Sequence, residues 1–415
     1  MVKIRKLENG IPVIMEKIKG MRSACVGIWV KVGSRYESPQ NNGISHFIEH
    51  MFFKGTKRRT QKEIAVEIDS MGGDLNAYTS RETTTFYVKV LSDFTVGGID
   101  LLADIFNNSQ MRDEDIKIEK DVIEEEIKMV EDTPDEHVHD YFYTDIWDDT
   151  GLGMPILGTL DTVRSFTQKD FLDYTMKNYG AGDVVASCAG NIDPDAVFDL
   201  LNGHLGGIRL GASDKSVQRQ AFKPGLKVYE KDLSDVHICI GVEGIKQDSV
   251  LRYPFLILNT IFGAGVSSRL FQEVRENRGL SYSIYSFLSS YHDVGVFGVY
   301  AAAGKNKYVK VLDTVFEEMK KLRDTITADD LERAKCNLKG NIMLALESTH
   351  GRMNNLARQI IYYDRYYSPA QIMRGIDRVK MKDIRDVVDG YVLTGKTAVT
   401  LLGPAEEKKV RGVII

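Results

Sequence analysis

No part of this 415-residue chain carries an apolar run of the roughly 20 residues that a bilayer-crossing helix needs. A helical membrane span is therefore not expected. The first residues, MVKIRKLENGIPVIMEKIKG, lack the continuous apolar segment of a secretory leader. They alternate polar and apolar side chains around Asn9-Gly10, which is a hairpin signal. Basic residues are not in excess. The chain has 54 Lys and Arg against 59 Asp and Glu, a net charge of −5, so neither a nucleic acid nor an anionic membrane surface is the expected partner. Cysteine is scarce, and Cys25, Cys188, Cys239 and Cys336 stand far apart in the chain. They read as small buried hydrophobes in a reducing compartment, not as a disulfide frame or a thiolate metal site. These absences leave a cytoplasmic protein as the expectation. Its 43% hydrophobic content suffices for a substantial core, and its length for two or three domains.

A polar, glycine-containing stretch at 206–225, GGIRLGASDKSVQRQAFKPG, reads as a linker. The sequences on either side of it are faintly alike. Before it, strand-like SACVGIWVKVGS leads through helical patterns to GGDLNAYTSRETTTFYVKVL. After it, DVHICIGVEGI leads through helical patterns to RGLSYSIYSFLSSYHDVGVFGVYAAAG. Long acidic helices follow in both halves. Strand runs grouped with helix runs predict an α+β fold with antiparallel sheets. The expected organisation is a tandem pair of similar domains, 1–205 and 226–415, each of about 200 residues.

The segment GISHFIEHMFFKGT, residues 43–56, sets two imidazoles and a carboxylate among large apolar side chains. Asn42 or Gly43 can begin a helix here, and Gly55 can end it. On that helix His46 and His50 are four apart, so their rings emerge from one face. Zinc needs that arrangement from two of its ligands. Glu49 precedes His50, which gives the order His-x-x-Glu-His, the inverzincin pattern. The bland alternative is a pair of core histidines beside a surface carboxylate.

A catalytic zinc takes three protein ligands and leaves the fourth position to water. The segment DEDIKIEKDVIEEEIKMVEDTPDE, from Asp113, is where a third ligand is expected. On a helical wheel with Ile116 at zero, Ile123 and Ile127 fall within about 20°, Val130 at about −40° and Val122 at about −120°, which marks out the buried arc. Glu119 and Glu126 land at about −60° and −80°, inside this buried arc, while Glu124 and Glu125 land outside it. A buried carboxylate must be paired or bound to a cation. Two neutral imidazoles and one carboxylate would leave zinc with net positive charge, able to acidify its water and polarise a carbonyl. Glu49 lies too close along the helix to ligate beside both histidines and is expected to act as general base. Glu119 is expected to orient a ligand from behind.

Taken together, GISHFIEHMFFKGTKRRT, GGDLNAYTSRETTTFYV and EKDVIEEEI resemble the pitrilysin family of zinc peptidases. Within it the chain is most similar to the processing-peptidase branch, which includes the catalytic subunit of mitochondrial processing peptidase and its bacterial relatives. The resemblance implies one zinc per chain on His46, His50 and Glu126, with Glu49 as base and Glu119 in support. It also implies two similar α/β-roll halves that enclose a chamber. The first would hold the metal, and the second, without metal, would complete the active site. In VRENRGLSYS, Arg275 and Tyr282 match a pair that reaches the substrate. Asn76, Ala77 and Tyr78 match an edge strand on which a peptide can add as a further strand. Glu136 and Asp140 match carboxylates that receive an arginine two positions before the cleaved bond, since a guanidinium fork can bond both. The bland reading of these two is a solvated acidic pair at a helix start marked by Pro134. The expected partners are a peptide substrate and a second copy of the chain. The competing function is a non-catalytic, peptide-binding or assembly subunit of the same fold.

Overall fold

The computed structural model describes residues 2–213 and 219–412, so 214–218 of the expected linker lie outside the described residues. The fold is α+β and comprises two units, each an open sheet with its own helices.

The sheet of the first unit contains β1 (Val2–Lys6), β2 (Pro12–Lys17), β3 (Ser23–Val30), β4 (Asp74–Thr79), β5 (Thr84–Leu91) and β6 (Val184–Gly190), in the order β1-β2-β6-β3-β5-β4. The hairpin expected at Asn9-Gly10 joins β1 to β2, with Lys6 opposite Pro12 and Gly10 at φ +88, a conformation that glycine adopts freely. The sheet of the second unit contains β7 (Gly225–Tyr229), β8 (Asp235–Glu243), β9 (Ser283–Ser290), β10 (Gly295–Gly304) and β11 (Thr397–Leu402), in the order β7-β11-β8-β10-β9. This is the order β2-β6-β3-β5-β4 with every strand number raised by five. The one parallel pair recurs too, as β2 with β6 and β7 with β11. A likeness that is faint in the amino acids is therefore complete in the topology. The sheets are mixed, not purely antiparallel as the strand patterns predicted.

The compact units do not follow the expected contiguous division into 1–205 and 226–415. The first consists of Met1–Lys128, Thr150–Val217 and Leu344–Tyr366, and the second of Met129–Asp149, Gln218–Met343 and Tyr367–Ile415. Each half of the chain gives one helix to the other unit. Helix Pro134–Trp147 buries Val138, Phe142 and Ile146 and packs on β8 and β11. Gly241 makes room for it, since a Cβ there would stand 2.5 Å from the Phe142 ring. Helix Thr349–Tyr363 packs on β2, β3 and β6. Its Met353, Leu356, Ala357 and Ile360 form one apolar cluster with Cys25, Trp29, Val185 and Ala189. The other face of the same sheet, with Val26, Ile28 and Phe86, belongs to the main core of the first unit. With both faces covered, β3 and β6 are buried almost throughout. β4 lies at the end of the sheet and, among the described residues, is bonded only to β5.

Candidate metal centre

Helix Ile44–Phe52 has a fixed beginning. Gly43 turns the chain at φ +92. The buried Glu37 carboxylate accepts from the Gly43 and Ser45 N–H groups at 2.7 and 2.9 Å and from Asn42 Nδ2 at 3.0 Å. A carboxylate at this end is favoured by the helix dipole. A Cβ at Gly43 would meet Leu157 O at 2.6 Å, so the crossing there requires glycine.

From this helix His46 and His50 bring their Nε2 atoms to 3.2 Å of each other. From helix Asp113–Glu131, Glu126 brings Oε2 to 3.7 Å from His46 Nε2 and 3.6 Å from His50 Nε2. Among the described residues, this is the one group of at least three His, Cys, Asp or Glu side chains whose ligand atoms all lie within 4.8 Å of one another. Zinc bonded at about 2.0–2.1 Å in a tetrahedron holds its ligands about 3.3 Å apart, so the triangle suits that ion with small adjustments. The helix register agrees with the wheel only in part: Val122, expected at the far side of the buried arc, is exposed, and the Glu126 side chain, at 33%, is more exposed than that of Glu124, at 15%. Ile116, Glu119, Ile123 and Ile127 are buried, whereas Glu124 and Glu125 pair with Arg164 and Lys128 at 2.7 and 2.6 Å, away from the triangle.

The surroundings set the charge states. Burial, with the charge of His50, pushes His46 down to about 3, so its imidazole is neutral and its lone pair is available. Burial also acts to discharge His50, but the hydrogen bond to Glu119 and the charges of Glu119, Glu126 and Glu49 outweigh it and raise its pKa. Glu119 Oε1 lies 2.8 Å from His50 Nδ1, which leaves Nε2 as the ring atom facing Glu126. Burial pushes Glu49 up, and the hydroxyl of Thr79 and the charge of His50 moderate the rise. Glu49 is not part of the ligand triangle.

Three contributors were missed in the sequence. Thr79 Oγ1 donates to Glu49 Oε2 at 2.5 Å. Lys54 Nζ lies 2.5 Å from Glu119 Oε2. Glu37 holds the helix start. Lys54 had a signal, since it follows His50 by four residues, as His50 follows His46. Thr79 had a weaker one, being on the inward side of an alternating strand. Glu37 had none, because a loop residue's partner cannot be read from spacing.

Two family models match the chain. One, described as insulinase (peptidase family M16), covers residues 12–160, and the other, described as peptidase M16 inactive domain, covers 165–338. A Bacillus subtilis protein named uncharacterized zinc protease YmxG is 36% identical over 98% of this chain and 99% of its own length. The chain belongs to the peptidase M16 family. A Streptomyces coelicolor M16 relative, also named an uncharacterized zinc protease, is 34% identical over 97% of this chain and 90% of its own. The fold likeness extends further. A protease from Helicobacter pylori superposes with a TM-score of 0.90 at 21% identity, covering 97% of this chain and 99% of its own. A chain of complex III2 from Candida albicans superposes with a TM-score of 0.87 at 21% identity, covering both chains completely.

The remaining expected residues of this M16 chain fall into two groups. Asn76, Ala77 and Tyr78 lie on β4, in the first unit, opposite Tyr87, Phe86 and Thr85. Ser80 N donates to Thr83 O at 2.8 Å, and hydrogen-bonded pairs alternate along an antiparallel ladder. The N–H and C=O of Ala77 therefore point away from β5, to the free edge. There the Ala77 N–H donates to Asn76 Oδ1 at 2.8 Å. Tyr78 reaches Asn354 Oδ1 with its hydroxyl at 3.1 Å. Arg275, Tyr282, Glu136 and Asp140 belong to the second unit. Arg275 stacks its guanidinium 4.3 Å from the centre of the Tyr282 ring, and Tyr282 is 80% exposed. Glu136 and Asp140 lie one turn apart on helix Pro134–Trp147.

Proposed function

We propose that this M16 chain is a zinc-dependent endopeptidase that cleaves short or unfolded peptides, with preference for a basic residue two positions before the cleaved bond. The observation that carries the reading is the triangle of His46, His50 and Glu126 with Glu49 beside it and outside it. The relatives named zinc proteases support it. His46, His50 and Glu126 would hold one zinc per chain. Zinc in such a site supplies an acidified water and a polarised peptide carbonyl.

The chain's own groups do the rest. Glu49, partly desolvated, takes the proton from the attacking water and passes it to the departing amine. Glu119 keeps a proton on His50 Nδ1 and fixes the ring. The outward C=O of Ala77, and its N–H once Asn76 Oδ1 releases it, hold the peptide backbone as an added strand, which reads no side chains and so admits many sequences. Arg275 and Tyr282 are the expected second-unit contribution to the substrate, and Glu136 and Asp140 the expected receivers of a guanidinium. In this reading the protein works in the cytoplasm as a homodimer. The four unpaired cysteines, three of them buried, support a reducing compartment, and a mass measurement in solution tests the dimer. Its activity is tested by cleavage of a quenched peptide, expected to be lost with a chelator and restored by zinc. Cleavage that survives complete metal removal would overturn the reading.

A further inference from the structure

We propose that Lys54 is a positioning residue of the metal centre that acts through Glu119. This rests on the zinc reading of the site. Glu119 is 2% exposed, and its two oxygens have separate tasks. Oε1 lies 2.8 Å from His50 Nδ1, and Oε2 lies 2.5 Å from Lys54 Nζ. Lys54 Nζ is the cation that answers Oε2. A buried carboxylate is costly unless an opposite charge answers it.

The source of that charge is the metal-binding segment itself. Lys54 follows helix Ile44–Phe52 with its N–H still bonded to Met51 O at 3.2 Å, so His46, His50 and Lys54 follow one another at intervals of four. The same few residues thus deliver two imidazoles to the site and, one turn on, the cation that secures the carboxylate behind one of them. Without Lys54, Oε2 would be a buried, unanswered negative atom. Glu119 would then turn towards water and loosen its hold on His50 Nδ1, and with it the aim of Nε2 at Glu126. The Lys54 side chain is 19% exposed, so charge and packing have to be separated by the choice of variant.

The test is zinc affinity of the full-length chain, measured with zinc alone against a chromophoric chelator. Lys54→Met keeps the stem and removes the charge. It is expected to weaken zinc binding about tenfold, at the lower end of the effect of losing a ligand's supporting partner. Lys54→Arg should recover most of the loss. On a Glu119→Gln background, Lys54→Met should change affinity by less than about twofold, because contributions acting through one residue are not additive. If Lys54→Met fails to fold, Lys54→Gln takes its place. A merely structural lysine would lower the melting temperature of the zinc-free protein and leave chelator competition unchanged, which would overturn the proposal. Equal losses on both backgrounds would overturn it too. Wild type that fails to bind one zinc per chain would instead remove the zinc reading, and this inference with it.

Discussion

The Thr79 hydroxyl donates a hydrogen bond to Glu49 Oε2 at 2.5 Å, and through that bond the last residue of the edge strand touches the proposed base. Thr79 pairs with Thr84 at the end of β4, two residues beyond the outward-facing groups of Ala77. On the proposed reading, a peptide added along this strand would be registered against Glu49 by the strand itself. Thr79→Val should keep zinc and lower kcat on the order of tenfold through misplacement of the carboxylate. The hydroxyl lowers the Glu49 pKa against the rise caused by burial. Its removal lifts that pKa further, so the acid limb of the kcat/KM profile should move to higher pH. An unmoved limb with unchanged kcat would show the contact to be incidental.

Glu49→Gln and Glu126→Gln should fail in different ways. Glu49 is outside the triangle, so its amide should retain zinc while turnover falls ~10²–10⁴-fold, the usual cost of losing a general base. Glu126→Gln should lose zinc. Glu125→Gln should do neither, since Glu125 pairs with Lys128 on the surface. Metal content and peptide cleavage on the three proteins check all of this, and zinc loss from Glu125→Gln would show the helix register to be wrong.

Stability at low pH should depend on a cluster away from the site. Arg59 reaches Glu67, Asp100 and Asp104 at 2.6, 2.7 and 2.8 Å. Hydrogen bonds from Arg58 first and Arg59 second, against some burial, hold Asp100 down to about 2. A carboxylate depressed in the fold stabilises it above its unfolded pKa of about 3.9 and loses that contribution as the pH falls towards 2. Asp100→Asn should therefore melt earlier than wild type at pH 7, by about 1 kcal/mol for a partly exposed network. The gap should close in melts between pH 4 and 2. A gap that persists at the acid end would mean that packing, not charge, explains the loss.

The arginine preference is the most exposed part of the proposed function. Peptides with Arg and with Ala two positions before the scissile bond can be compared on wild type and on the double variant Glu136→Gln, Asp140→Asn. A desolvated charged partner is worth ~2–5 kcal/mol, so kcat/KM should favour Arg strongly on wild type and far less on the variant. A wild type indifferent to Arg would make these carboxylates a solvated surface pair.

What could be read from the amino acids was whatever repeats with the period of one element. The wheel placed Glu119 inward, where it is buried, because helix Asp113–Glu131 carries its own record of which side is buried; that record is coarser at the margin, where Glu126 is more exposed than Glu124 and Val122 faces out. The i, i+4 spacing of His46 and His50 needed no more than a helix. Contacts between elements leave no such record. Thr79 on Glu49, Lys54 on Glu119 and Glu37 on the start of helix Ile44–Phe52 each join segments whose meeting depends on the whole fold. The destination of helix Pro134–Trp147 was hidden for the same reason. Its pattern shows that Val138, Phe142 and Ile146 seek cover, but not that β8 (Asp235–Glu243) and the still more distant β11 (Thr397–Leu402) provide it. Nothing in the strand pattern marks Gly241 and Gly27 as special. Their neighbours, Phe142 for one and Met353 with Trp29 for the other, show that they leave room for the two exchanged helices.

That exchange has a consequence for the chain during its own synthesis. Trp29 and Cys25 leave the ribosome early, yet Met353, Leu356 and Ile360, which cover them, emerge more than 300 residues later. At roughly 5–20 residues per second, the interval between residue 205 and residue 366 lasts about 10–30 s. Over that time one face of the first sheet remains bare and open to chaperones or to misassociation. The metal-binding segment packs on the opposite face, in a core made of residues that precede 209, so the late cover is needed for Cys25 and Trp29 and not for the imidazoles.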